Sequence, residues 1–157
     1  MLPQFKLFGS FIGFVFLLAA CSAYDFPDPT PEDYAIHGID ISRWQGDIDW
    51  EEVKRSGVQF AWIKATEGGD HADPRFAQNW IAARKAGVPR GAYHFYYFCR
   101  PVEEQISWVK EVVPKDPEAI PLVLDIEWIA HSKTCTKRPE RAKILRDMKV
   151  FLDEMER

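Results

Sequence analysis

Four short apolar runs recur along the chain, separated by amphipathic segments. The runs are Ile36 to Ser42, Gln59 to Lys64, Arg90 to Tyr96 and Pro121 to Glu127. Each is short enough to be a strand buried on both faces of a parallel sheet. Between them the pattern changes to helical spacing with its own punctuation. Asp49 can cap a helix over Trp50 to Ser56, with Glu52 three residues on and Gly57 to end it. Asp73-Pro74 begins a second helix that Gly87 closes, and Pro101 opens a third that stops near Pro114. Pro139 opens a fourth, in which Ile144, Leu145, Met148, Phe151, Leu152 and Met155 recur at helical spacing and are expected to be core. Alternating strand and helix predicts an α/β fold around a parallel sheet. Four such units fit either half of an eight-stranded barrel or most of a small open sheet. Gly46 and Gly68-Gly69 lack the spacing of a nucleotide-binding loop, which weighs against a nucleotide-binding open sheet.

The N-terminus follows a different pattern. Lys6 precedes an apolar run from Leu7 to Ala20 that leads into Cys21. The run is shorter than the ~20 residues of a membrane span and matches the apolar core of a signal peptide. With small residues before Cys21, the expectation is a lipoprotein leader over residues 1–21, cleaved before Cys21, whose new N-terminus is then acylated. The alternatives are an ordinary secretory signal or a short buried helix. Residues 22–35, rich in proline and acid, read as a tether reaching on the order of 40 Å. Such a protein is exported and membrane-anchored, facing the periplasm or the cell exterior. Cys99 and Cys135 then remain as an even pair in an oxidising compartment. A disulfide between them is expected, with two separate buried thiols as the alternative.

Composition adds limits. With 46% hydrophobic and 14% aromatic residues, the 157-residue chain can bury a core. A net charge of −4 offers no broad basic face, so nucleic acid is not an expected partner.

In parallel α/β structures the functional groups collect at the carboxyl ends of the strands. Here those positions hold carboxylates: Asp40 in the first run, and Asp125 and Glu127 in the fourth. Strand alternation would put Asp125 and Glu127 on one face. Crowding with Asp40 would raise at least one pKa. A protonated acid beside an ionised partner suits glycosidic cleavage. Alternatives are an ion-pair network with Lys64 or Arg43, or a hard-cation site. Trp44, Tyr93, Phe95, Tyr96, Tyr97, Phe98 and Trp128 lie near the same ends and suit either sugar stacking or core. His94 reads as a hydrogen-bonded wall residue. His37, His71 and His131 form no zinc pattern with it or with the cysteines. A nucleophilic Cys99 paired with His94 or His131 is a remote further reading.

Gly38-Ile39-Asp40-Ile41-Ser42-Arg43-Trp44-Gln45-Gly46 and Phe60-Ala61-Trp62-Ile63-Lys64-Ala65-Thr66-Glu67-Gly68 resemble the family 25 glycoside hydrolases, lysozymes of peptidoglycan. So do Gly91-Ala92-Tyr93-His94-Phe95-Tyr96 and Leu122-Val123-Leu124-Asp125-Ile126-Glu127, in the same order. The resemblance implies a TIM-like (β/α) barrel of which residues 36–157 hold the N-terminal part. It implies cleavage of the β-1,4 bond between N-acetylmuramic acid and N-acetylglucosamine by a monomer, without metal or cofactor. By position, Glu127 matches the general acid, Asp125 the carboxylate that positions or stabilises the reacting sugar, and Asp40 a third acid. Trp44, Lys64, Glu67, Tyr93, His94, Tyr96 and Trp128 are the expected substrate contacts. The family's last strands supply a further aspartate that this chain is expected to lack. A non-catalytic or vestigial peptidoglycan-binding lipoprotein is the second expectation.

Overall fold

The computed structural model describes Thr30, residues 33–128 and residues 130–156. The chain divides into two compact units, Met1–Thr30 and Pro31–Arg157. Of the first unit only Thr30 is described, and it is exposed. The expected leader, Cys21 and most of the expected tether lie outside the described residues.

The second unit is an α/β fold. Strands β1 (Gly38–Ile41), β2 (Phe60–Glu67), β4 (Arg90–Phe95) and β5 (Val123–Asp125) are parallel and lie in the order β1-β2-β4-β5. A two-residue strand β3 (His71–Ala72) folds back antiparallel on the end of β2. The helices are α1 (Trp50–Arg55), α2 (Phe76–Lys85), α3 (Val102–Val112) and α4 (Arg141–Met155). Asp49 accepts a hydrogen bond from the Glu52 amide at 3.0 Å, satisfying one otherwise free donor of α1. Gly57 and Gly87, just beyond α1 and α2, take φ of 89° and 71°, where a side chain would be strained.

One face of the sheet is covered by α1 and α2. Ile41, Ala61, Ile63, Ala65 and Ala92 pack there against Trp50, Phe76, Trp80, Ala83 and Val88. The alanines let the helices approach the strands closely. A second core joins Tyr96 to Val102, Ile106 and Val109 of α3 and to Phe151 of α4.

Several boundaries differ from the sequence pattern. The β1 ladder starts at Gly38, and Ile36 is exposed. Strand β2 continues past Lys64 to Glu67. The second helix starts at Phe76 because Asp73 turns the chain, accepting the Arg75 amide on its carboxylate and the Phe76 amide on its carbonyl. The α4 stripe is only partly core. Phe151 is buried, whereas Leu145 and Leu152 are exposed. Those two leucines each follow a more buried residue, Ile144 or Phe151, by one position, which is about 100° around the helix.

Candidate active site

The face of the sheet opposite the α1 and α2 core carries the polar residues. Asp40 of β1 pairs in register with Trp62 of β2, Lys64 of β2 with Tyr93 of β4, and Phe95 of β4 with Asp125 of β5. Asp40, Trp62, Tyr93 and Asp125 line one open cleft of ≈ 410 Å³. Two of its lining residues, Asp125 and Ile126, stand at the carboxyl end of β5, where such folds place their chemistry.

A bulge in β2 shapes the rim. Register with β4 shifts between Lys64 and Thr66, leaving Ala65 unpaired. In a regular strand, residues three apart face opposite ways. The extra residue turns Glu67 back to the side of Lys64, and their charged atoms lie 2.8 Å apart. Lys64 also sits 4.8 Å from the Phe95 ring centre. Its charge is therefore matched by Glu67. Among the described residues, Asp40, Asp125 and Glu127 have no salt bridge. The alternative of an ion pair between these acids and Lys64 or Arg43 is not formed among the described residues.

Burial raises the Asp125 carboxyl above the usual carboxylate value, and the charges of Glu127 and Asp40 push the same way while Lys64 opposes them. Tyr93 is pushed up to about 12 by burial first, then by Asp40 and Asp125, against a hydrogen bond with Ser42. Its phenol stays protonated at neutral pH and can donate into the cleft.

Strand β5 ends at Asp125, whose carbonyl accepts the Tyr96 amide at 2.9 Å. Ile126 to Trp128 leave the ladder, so strand alternation does not place Glu127, which is exposed. Glu127 stands instead with Phe95, Phe98, Trp128 and Arg138 around a small crevice. Trp128 stacks on Phe98 with ring centres 4.1 Å apart, and the Arg138 guanidinium lies 4.7 Å over its ring.

The exposed Trp44 is held at the other end. It sits in a 3-10 turn, Arg43–Gln45, whose capping residue Ser42 and whose Gln45 bond reciprocally. Asp73, 5% exposed, accepts the Arg43 amide at 2.9 Å and so pins this turn to the chain after β3. The Trp44 ring is 77% exposed, with the Arg43 guanidinium 4.6 Å over it. Asp73 and Trp62 were not singled out as site residues from the sequence. Trp62 shares the two-residue period of Lys64, which was a usable signal. Asp73 had none, since its partner lies thirty positions away.

Two expected substrate contacts are enclosed by the protein. His94 is 0% exposed and stacks on Phe151, while Tyr96 is buried and donates its hydroxyl to Asp147 at 3.0 Å. Both lie in or against the α3–α4 core rather than on the cleft. Gln105 Nε2 donates to the carbonyls of Tyr97 and Arg100, and its Oε1 accepts the Tyr97 amide at 2.8 Å. That oxygen also meets His94 Nε2 at 3.0 Å, so Nε2 carries the proton and Nδ1 accepts from the Thr66 hydroxyl at 2.8 Å. Burial lowers the His94 pKa to about 4, keeping the ring neutral. This network holds the loop after β4. Cys99 on that loop is joined to Cys135 by a disulfide with Cα atoms 5.6 Å apart. Cys99 is therefore not a free nucleophile in this state.

The sequence model described as Glycosyl hydrolases family 25 matches residues 39–157. The chain is 43% identical over 102 residues to the uncharacterized protein YegX of Escherichia coli K12, covering 62% of this chain and 38% of YegX. It is 55% identical over 60 residues to Lysozyme M1 of Streptomyces globisporus, covering 38% of this chain and 20% of that protein. The fold matches a family 25 glycosyl hydrolase from Bacillus anthracis with a TM-score of 0.75 and 37% identity, over 82% of this chain and 58% of that one. The chain thus spans well under the full length of each relative.

Proposed function

The chain belongs to glycosyl hydrolase family 25, and from that premise we propose that it acts in peptidoglycan hydrolysis as a muramidase. The bond cut is the β-1,4 link between N-acetylmuramic acid and N-acetylglucosamine. The observation that carries the reading is the shared cleft of Asp40 and Asp125, with the Asp125 pKa raised by burial, Glu127 and Asp40. Glycosidic cleavage uses one carboxyl group as proton donor beside a second that positions and stabilises the reacting sugar. Glu127 gives its proton to the departing oxygen, Asp125 positions and stabilises the reacting sugar, and Asp40 is a third acidic residue of the site. The C–O bond breaks with its electrons on the protonated oxygen, and water supplies the hydroxyl of the new reducing end while its remaining proton restores the acid form of Glu127.

Exposed Trp44 offers a flat apolar face for a sugar ring on the side that Arg43 leaves open, and the partly exposed Trp128, flanked by Phe98 and Arg138, stands at the other side of the site. Tyr93, Lys64 and Glu67 offer polar contacts between them. His94 and Tyr96 support that wall from behind. Residues 36–157 form the N-terminal part of the catalytic domain. Residues 1–21 serve as a lipoprotein leader with Cys21 acylated, and residues 22–35 serve as a tether that lets a monomer work on the wall from a membrane anchor.

Release of soluble muropeptides from purified peptidoglycan tests the activity, with Glu127→Gln beside the unaltered chain. The substitution removes the transferable proton and keeps the shape, so hydrolysis is expected to vanish while binding to the wall persists. Near-normal activity of Glu127→Gln would overturn the assignment of the acid.

A further inference from the structure

We infer that the segment following Trp128 forms a cationic face that holds the carboxylates of the peptide stems attached to the glycan. The inference rests on the reading that peptidoglycan is the substrate.

The whole-chain charge of −4 hides a local excess of the opposite sign. Lys133, Lys137, Arg138, Arg141, Lys143 and Arg146 are all exposed, and Glu140 is the only carboxylate between residues 133 and 146. Lys143 pairs with Asp147. Among the described residues, Lys133, Lys137, Arg141 and Arg146 take part in no salt bridge. Their side chains are exposed and have no salt-bridge partner among the described residues.

Two features hold this face beside the candidate catalytic groups. The buried Cys135 ties the segment to Cys99 on the loop after β4. Arg138 lies over the ring of Trp128, the residue next to Glu127. Lys137, Arg138, Lys143 and Arg100 line a groove of ≈ 590 Å³ between these elements, with Glu103 and Asp147 as its carboxylates. Arg100 pairs with Asp70 and Glu104, and Lys143 with Asp147, so the surplus charge of the groove comes from Lys137 and Arg138 of the post-β5 segment.

A neutral N-acetylglucosamine chain offers nothing for such a face to bind. Peptide stems branch from every muramic acid and end in carboxylates, so a stem next to the scissile bond brings negative charge to this side of the site. Each contact is exposed and individually weak, but several acting on one multivalent wall add up and fade with salt.

The test is co-sedimentation of the full chain carrying Glu127→Gln with insoluble wall sacculi stripped of phosphate polymers. One batch keeps its stem carboxylates and another has them amidated by carbodiimide coupling. Native sacculi are expected to bind about tenfold more tightly at low salt. A Lys133→Glu, Lys137→Glu, Arg141→Glu variant should lose that advantage and bind amidated sacculi unchanged. Its thermal unfolding should match that of the parent, because the three side chains are exposed and unpaired. Equal binding to both batches, or a variant that still prefers native sacculi, would overturn the inference. Recovery of binding only when phosphate polymers are left on the wall would overturn it too and reassign the face to those polymers. Release of reducing ends from the same sacculi by the chain with Glu127 intact is a separate readout. Its failure would count against the muramidase reading and leave the binding comparison standing.

Discussion

Acidification should destabilise this protein through His94, and the size of the effect follows from its surroundings. The imidazole is fully enclosed, stacked on Phe151 at 5.2 Å between ring centres, with both nitrogens bonded. Burial lowers its pKa from 6.5 to about 4. Above pH 6.5 the ring is neutral in both folded and unfolded chains and has no pH-linked effect. Between 6.5 and 4 the unfolded chain takes up a proton that the folded one refuses, so stability falls as pH falls; below about 4 the loss levels off. Linkage gives a loss of about 2 kcal/mol by pH 5 and about 3 kcal/mol by pH 4. Urea unfolding followed by tryptophan fluorescence at pH 7 and pH 5 measures it, with His94→Gln as the non-titrating reference. The variant gives up the ring stack and is less stable at every pH, but its pH dependence should be flatter by the stated amount. Asp125 and Asp116 titrate in both proteins and cancel in the comparison; Asp125, with its raised pKa, contributes in the opposite direction. If the unaltered chain loses no more stability between pH 7 and pH 5 than His94→Gln does, the neutral buried imidazole is refuted.

Two further outcomes are expected. Phe151→Ala removes the fully buried ring that joins α4 to α3 and to His94, and should cost about 3–5 kcal/mol in the same urea assay. Reducing the Cys99–Cys135 bridge, which links residues 36 apart, should cost about 3–4 kcal/mol by the chain-entropy argument. Unfolding midpoints with and without reductant give the comparison, and Cys99→Ser with Cys135→Ser should reproduce the reduced state.

The sequence by itself determined the alternation of strand and helix and the parallel sheet. Each apolar run carries its own period, and Asp49, Gly57 and Gly87 act within a turn of where they stand. It also marked Asp40 and Asp125, because a carboxylate inside an apolar strand is conspicuous without any neighbour. Tertiary structure decided the rest. The bulge at Ala65 that turns Glu67 toward Lys64 exists only in the register between β2 and β4. The end of β5 at Asp125, which frees Glu127 from strand alternation, depends on where its partner β4 stops. Trp44 and Tyr96 look alike as aromatic residues near strand ends, yet one is exposed and the other is core, because only α3 and α4 reach the second. The cationic face came to lie beside Trp128 through a disulfide and a cation–ring contact that no local pattern encodes. A residue's period is written in its near neighbours, whereas its burial and partners depend on segments brought together from far along the chain.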